Sequence, residues 1–110
     1  LPVRCTNDDF VKGVDALAAG GQRFDQILFE THGSPGAIGF GEDGAITAQW
    51  MRDNLKTRHW ETLCPPEARV YFNGCNVAEG EEGWDFLAAA GEVFLRSEGG
   101  VVFGQTSLGF

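Results

Sequence analysis

Two residues carry the side chains of a thiol-based nucleophilic site, and each follows a short apolar run and lies beside a glycine. The run Ile27-Leu28-Phe29-Glu30-Thr31-His32-Gly33-Ser34-Pro35-Gly36 supplies His32, and Val70-Tyr71-Phe72-Asn73-Gly74-Cys75-Asn76 supplies Cys75. A thiol attacks a carbonyl as its thiolate, so Cys75 needs a proton acceptor. His32 can take that proton and later return it to a leaving amine. Gly33 has no side chain, so its N–H can approach a substrate oxygen and, with the N–H of Cys75, form an oxyanion hole. A helix expected from Glu81 would turn its positive end toward the sulfur. Glu79, Glu81, Glu82 and Asp85 crowd the same turn. Their negative charge disfavours a thiolate, and their simplest role is to complement that helix dipole.

Each residue alone has an ordinary structural explanation. Cysteine is among the most buried residue types, a lone histidine after a strand commonly bonds to turn backbone, and Gly33 and Gly74 fit tight turns. It is the pairing of His32 with Cys75 that makes a site. His59, between Arg58 and Trp60 at an expected helix end, suits the negative dipole terminus and has no assigned catalytic role. Cys5 and Cys64 read as structural, and Trp50, Trp60 and Trp84 as core or domain-surface aromatics. Thr106 and Ser107 end a strand on the working side, within reach of substrate backbone.

The elements that must position the pair follow from pattern and punctuation. Pro2 to Cys5 suits a short strand, and Thr6-Asn7-Asp8-Asp9 offers caps for a helix carrying Phe10, Val14, Leu17 and Ala18 until Gly20-Gly21. Gln26 to Thr31 is a strand. Ala37 to Phe40 and Ala45 to Thr47, across Gly41-Glu42-Asp43-Gly44, predict a small hairpin near His32. Thr47 caps a helix through about Thr57 with Trp50, Met51 and Leu55, and Cys64-Pro65-Pro66 breaks the pattern. Ala68 to Asn73 is a strand. A helix from Glu81 sets Trp84, Leu87, Ala88, Gly91, Phe94 and Leu95 on one face. Gly99-Gly100 ends it before the strand Val101-Val102-Phe103. Strands alternating with helices predict an α/β fold, a three-layer sandwich with a mainly parallel sheet covered on both faces. His32 and Cys75 then fall at the carboxyl edge of that sheet, where such folds bind ligands.

Composition narrows the partners. The 110 residues suit one domain over 1–110, and a hydrophobic share of 43% supports a packed core. Sixteen acidic against eight basic residues give a net charge of -8, which argues against nucleic acid. Three cysteines without CxxC spacing indicate neither a disulfide framework nor a zinc module, and no cofactor or metal is expected. No run approaches the roughly 18 apolar residues of a membrane span, and no signal peptide is recognisable. A start at Leu1 and an end at Phe110 read as a piece of a larger chain.

With those residues in view, Thr31-His32-Gly33-Ser34-Pro35-Gly36 and Asn73-Gly74-Cys75-Asn76-Val77-Ala78-Glu79-Gly80-Glu81-Glu82-Gly83 resemble the caspase-like (clan CD) cysteine peptidases, the group of caspases, separase, gingipains and CHAT domains. More narrowly they are similar to DUF4347, a bacterial family of unknown function often found within large surface proteins. Its HGSPG, GCNVA, following glycine and closing strand before a serine or threonine are matched here, the last by Gly104-Gln105-Thr106-Ser107. The similarity runs from about Gln26 to Ser107. It implies a caspase-like sandwich, a His32–Cys75 dyad, and Gly33 with the Cys75 amide as oxyanion donors. The implied activity is that of a cysteine endopeptidase, acting on a peptide or protein substrate or processing the rest of its own larger chain. The alternative is a catalytically silent caspase-like interaction domain whose acidic surface binds a partner. Some relatives use calcium, and Glu42-Asp43 and Glu79 to Glu82 are acidic loops here, without a recognisable ligand spacing.

Overall fold

A computed structural model describes residues 6–21, 23–39, 44–58, 60, 63–74, 76–96 and 99–106. The expected strand Pro2 to Cys5, the turn residues Gly41 to Asp43, His59, Cys75 and Ser107 lie outside the described residues. In chain order the elements are α1 (Asn7–Ala19), β1 (Gln26–Glu30), β2 (His32–Ser34), β3 (Ala37–Gly39), β4 (Ile46–Thr47), α2 (Ala48–Asn54), β5 (Arg69–Asn73), α3 (Gly80–Phe94) and β6 (Val101–Gly104). The architecture is mixed α/β. A parallel sheet has the order β1-β5-β6, and a small antiparallel sheet has the order β2-β3-β4. The second is larger than the expected hairpin because His32–Ser34 itself joins it, pairing with Ala37–Gly39.

Local signals explain the helix starts. The Thr6 hydroxyl accepts from the Asp9 N–H at 3.0 Å, while the Asp9 carboxylate accepts from the Thr6 N–H at 3.1 Å, a complete capping box for α1. Thr47 accepts from the Trp50 N–H at 3.2 Å and starts α2. That helix ends at Asn54 with Leu55 as its C-cap, short of the expected Thr57.

Helices on both faces of the parallel sheet are not what the described residues show. The order β1-β5-β6 advances in one direction, so two crossovers of the same hand put their helices on the same side. A second covered face requires the strand order to reverse. The covered face carries Ile27, Phe29, Val70, Phe72 and Val102, which belong to the core or pack against it. On the opposite face Leu28 is 58% exposed, Val101 47% and Phe103 42%. The described residues therefore form two layers rather than the three expected.

The core is threaded by aromatic rings. Phe10 meets Phe29 with centroids 5.5 Å apart, Phe29 stacks on Phe72 at 5.2 Å, and Phe72 meets Phe86 edge-on at 5.0 Å. Phe94 lies 5.5 Å from both Phe29 and Trp60. Such pairs add about 0.5–1.5 kcal/mol each beyond their burial, and here they join α1, β1, β5 and α3. Trp60 is fully buried, and its indole N–H is satisfied by Asp15 at 2.6 Å. Helix α3 turns inward a face rotated from the one its pattern suggests, keeping Leu87, Phe94 and Leu95 against the core. Gly83, Phe86, Ala89, Ala90, Val93 and Phe94 are buried, while Trp84 is 74% exposed. Both stripes have helical period; Gly83 decides between them. A Cβ at Gly83 would lie 2.1 Å from the Ala78 carbonyl carbon, so only glycine lets this turn of the helix press on that loop.

On the outer side, Arg52 reaches Asp85 at 2.8 Å and Glu92 at 3.0 Å, and Lys56 reaches Glu92 at 3.0 Å, tying α2 to α3. Hydrogen bonds from Arg52 and Lys56 hold the Glu92 carboxyl below its ordinary range. A depressed carboxylate stabilises above the unfolded-state pKa, and that contribution disappears as pH falls through the folded value. These groups are partly solvated, so the expected loss on acidification is below about 1 kcal/mol, and Arg52→Leu should flatten it in urea titrations across the carboxylate range. Phe86→Ala should cost about 3–5 kcal/mol, and Trp84→Ala under about 0.5 kcal/mol. Urea unfolding midpoints check both, and equal costs would contradict the assigned face of α3.

Candidate functional site at the carboxyl edge of the sheet

Strands β1 and β5 run in register to Glu30 opposite Asn73, and β6 follows with Gly104 opposite Phe72. Gln105 comes next, and its side-chain amide donates to the Asn73 carboxamide oxygen. The parallel sheet therefore ends along Glu30, Asn73 and Gln105. His32 lies two residues beyond the end of β1 as the first residue of β2, exposed and paired with Gly39. Its imidazole makes no hydrogen bond to another described residue.

Beyond β5 the chain reaches Gly74, which is buried. A Cβ there would lie 3.2 Å from both the Cα and the N of Gly33, and 3.0 Å from a Val77 methyl. The backbones of the two glycines thus pass with little room for a side chain between them, which brings together the His32-Gly33 segment and the segment leading to Cys75. Cys75 lies outside the described residues, but both its neighbours are described. Asn76 has φ 57, the left-handed region that asparagine tolerates better than most residues. Its carbonyl accepts from the Glu79 N–H at 3.0 Å, turning the chain into α3.

Two further bonds fix these loops. The Gly36 N–H donates to the Val77 carbonyl at 3.1 Å, and the Ala78 N–H donates to the Gln105 carbonyl at 2.8 Å. Gly36 has φ +73, and a Cβ on it would lie 2.6 Å from the Glu82 Cβ. The turn after β2 is consequently pressed on the first turn of α3. Thr31, beside His32, has its hydroxyl oxygen buried with no hydrogen-bond partner. Asn73, Gln105 and Gly36 are the contributors that motif reasoning did not single out as site residues. Gly36 had a usable signal, since Pro35-Gly36 suits a turn needing positive φ at its second central residue. Asn73 and Gln105 had none, because their contact depends on the pairing of β5 with β6.

The other candidate positions separate clearly. Thr106 is exposed just after β6, and Ser107 lies outside the described residues. Cys64 is 1% exposed, and burial pushes its thiol pKa up, the opposite of what a nucleophile needs. Trp50 is half-buried. Among the described residues no group of three or more His, Cys, Asp or Glu could hold a metal ion. Of the two acidic loops, Glu42-Asp43 lies outside the described residues. No described helix is long and apolar enough to cross a membrane.

Gly36→Ala should lower stability by about 1–3 kcal/mol, from positive φ and the clash with Glu82. Gly39→Ala, in the same small sheet with open space around it, should stay within about 0.5 kcal/mol. Denaturant titration of the two variants checks this; similar losses would mean that the turn is not pressed on α3. Comparison with known proteins gives one relation. The pattern of a domain of unknown function (DUF4347) matches residues 3–95. No curated protein and no solved structure matches the chain. With the matched span covering most of its length, the chain belongs to the DUF4347 family.

Proposed function

We propose that this domain is a cysteine endopeptidase or self-processing module of caspase-like chemistry, with His32 and Cys75 as its dyad. The observation that carries the proposal is the contact of Gly33 with Gly74 past the ends of β1 and β5. Gly33 follows His32 and Gly74 precedes Cys75 in the sequence, which supports reading the two residues as a pair. The proposal takes its chemistry from the caspase-like resemblance and does not require the third layer of that fold.

In the proposed reaction His32 accepts the Cys75 proton, and the sulfur bonds to the scissile carbonyl carbon. The oxygen gains negative charge and is met by the N–H groups of Gly33 and Cys75. The tetrahedral species collapses, the C–N bond breaks, and the imidazolium returns its proton to the leaving amine. Water, losing a proton to His32, then adds to the thioester; the C–S bond breaks and the thiol is restored on release of the acid. Exposure of His32 leaves its ring accessible to substrate. Glu81 and Glu82 occupy the first turn of α3, where they complement the helix dipole.

A silent interaction domain is the second reading, favoured by the exposed Leu28, Val101 and Phe103. Labelling with peptide electrophiles, read by mass spectrometry on the native protein, separates the two. The peptidase reading expects modification at Cys75, none at buried Cys64, loss in Cys75→Ala, and a rate lowered about 10²-fold or more in His32→Ala. Labelling of Cys75 no faster than that of Cys5, and insensitive to His32, would favour the interaction domain.

A further inference from the structure

The open face of the parallel sheet is not uniformly flat. At its carboxyl end a crevice of about 180 Å³ lies between β1, β5 and β6, lined by Leu28, Tyr71, Phe103 and Gly104, with Asn73 and Gln105 also in its wall. Tyr71 and Phe103 stack at 4.8 Å and form one side. Gly104 lines it with backbone alone, since a Cβ there would point to the covered face, toward Ala78 and Leu87. The two amides bond to each other. Among the described residues no carboxylate, ammonium or guanidinium group lines the crevice.

Its position ties it to the candidate site. Asn73 directly precedes Gly74, and Tyr71 and Asn73 lie on the same face of β5 by strand alternation. Resting on the peptidase reading, we infer that this crevice receives a large uncharged side chain of the substrate, aromatic or aliphatic, next to the scissile bond. The size is sufficient, since an apolar cavity of about 150 Å³ holds a benzene ring. The chemistry selects the class. An aromatic or leucine side chain gains apolar contact with Leu28, Tyr71 and Phe103, whereas a carboxylate or guanidinium would lose hydration on those apolar walls, the exposed Glu30 opposite Asn73 standing outside the described lining. The paired amides of Asn73 and Gln105 supply hydrogen-bonding groups for substrate backbone without adding a charge.

The test uses fluorogenic peptides identical except for Phe, Leu, Asn, Asp or Arg at the residue supplying the scissile carbonyl. The wild type should show kcat/KM for Phe and Leu at least about tenfold above Asp and Arg. Leu28→Asp, at an exposed position that tolerates substitution, should reduce the Phe-to-Arg ratio about tenfold. Cys75-dependent hydrolysis with no preference, or with preference for a charged residue, would overturn the pocket and leave the peptidase reading standing. Absence of all hydrolysis together with absence of Cys75-dependent labelling would overturn the peptidase reading. The pocket is then decided by titrating Cys75→Ala with N-acetyl-Phe-amide and N-acetyl-Asp-amide while following the Leu28 methyl and Phe103 ring resonances. Saturable shifts with the Phe compound alone support an apolar side-chain site, and no shifts with either overturn it.

Discussion

At Gly33 and Gly74 two stretches of backbone meet with no side chain between them, and the candidate site depends on that contact. With hypothetical Cβ distances of 3.2 Å to the Gly33 backbone, a methyl group at position 74 would be tight and require the neighbouring backbone to give by a few tenths of an ångström. The constraint is local, but its supports extend through the domain. Gly36 ties the turn after β2 to Val77, Ala78 ties the following loop to Gln105, and Gly83 lets α3 approach Ala78. Glycines thus set the spacing around the edge, while the aromatic core under the opposite face holds the strands that deliver it.

The sheet also settles which surface remains available. Because β1, β5 and β6 succeed one another in a single direction, their crossovers stack helices on one side and leave Leu28, Tyr71 and Phe103 on the other. This open side and the carboxyl edge meet at Asn73 and Gln105. The apolar crevice on the face therefore reaches Asn73, the residue before Gly74, without any dedicated loop. The same topology leaves no strand-order reversal among the described strands, so the crevice of a doubly wound sheet is replaced by one formed between side chains on a sheet surface.

Much of this was legible from short-range patterns. Thr6 with Asp9, Thr47 with Trp50, and the apolar runs at Ile27 and Val70 fixed two helix starts and two strands through local hydrogen bonding and burial. Placement of His32 and Gly74 past strand ends followed from the same runs. The inward face of α3 is rotated from the expected one, which shares Leu87, Phe94 and Leu95 with it but not Trp84 and Ala88, because overlapping stripes of one period cannot be separated by periodicity. The choice lies in the long-range approach of Gly83 to Ala78. Cover on the second sheet face is not seen among the described residues, since alternation of helix and strand fixes the crossovers but not the order in which strands assemble. The Asn73–Gln105 bond, across strands distant in sequence, left no mark in either local pattern.

The central claim is that His32 and Cys75 act as one unit at this edge. The rate of Cys75 alkylation by iodoacetamide, followed against pH for the wild type and for His32→Gln, tests it most directly. If the account holds, the wild-type profile extends to lower pH than that of the variant, because a nearby imidazole assists loss of the thiol proton. Superimposable profiles from two equally folded proteins would contradict it.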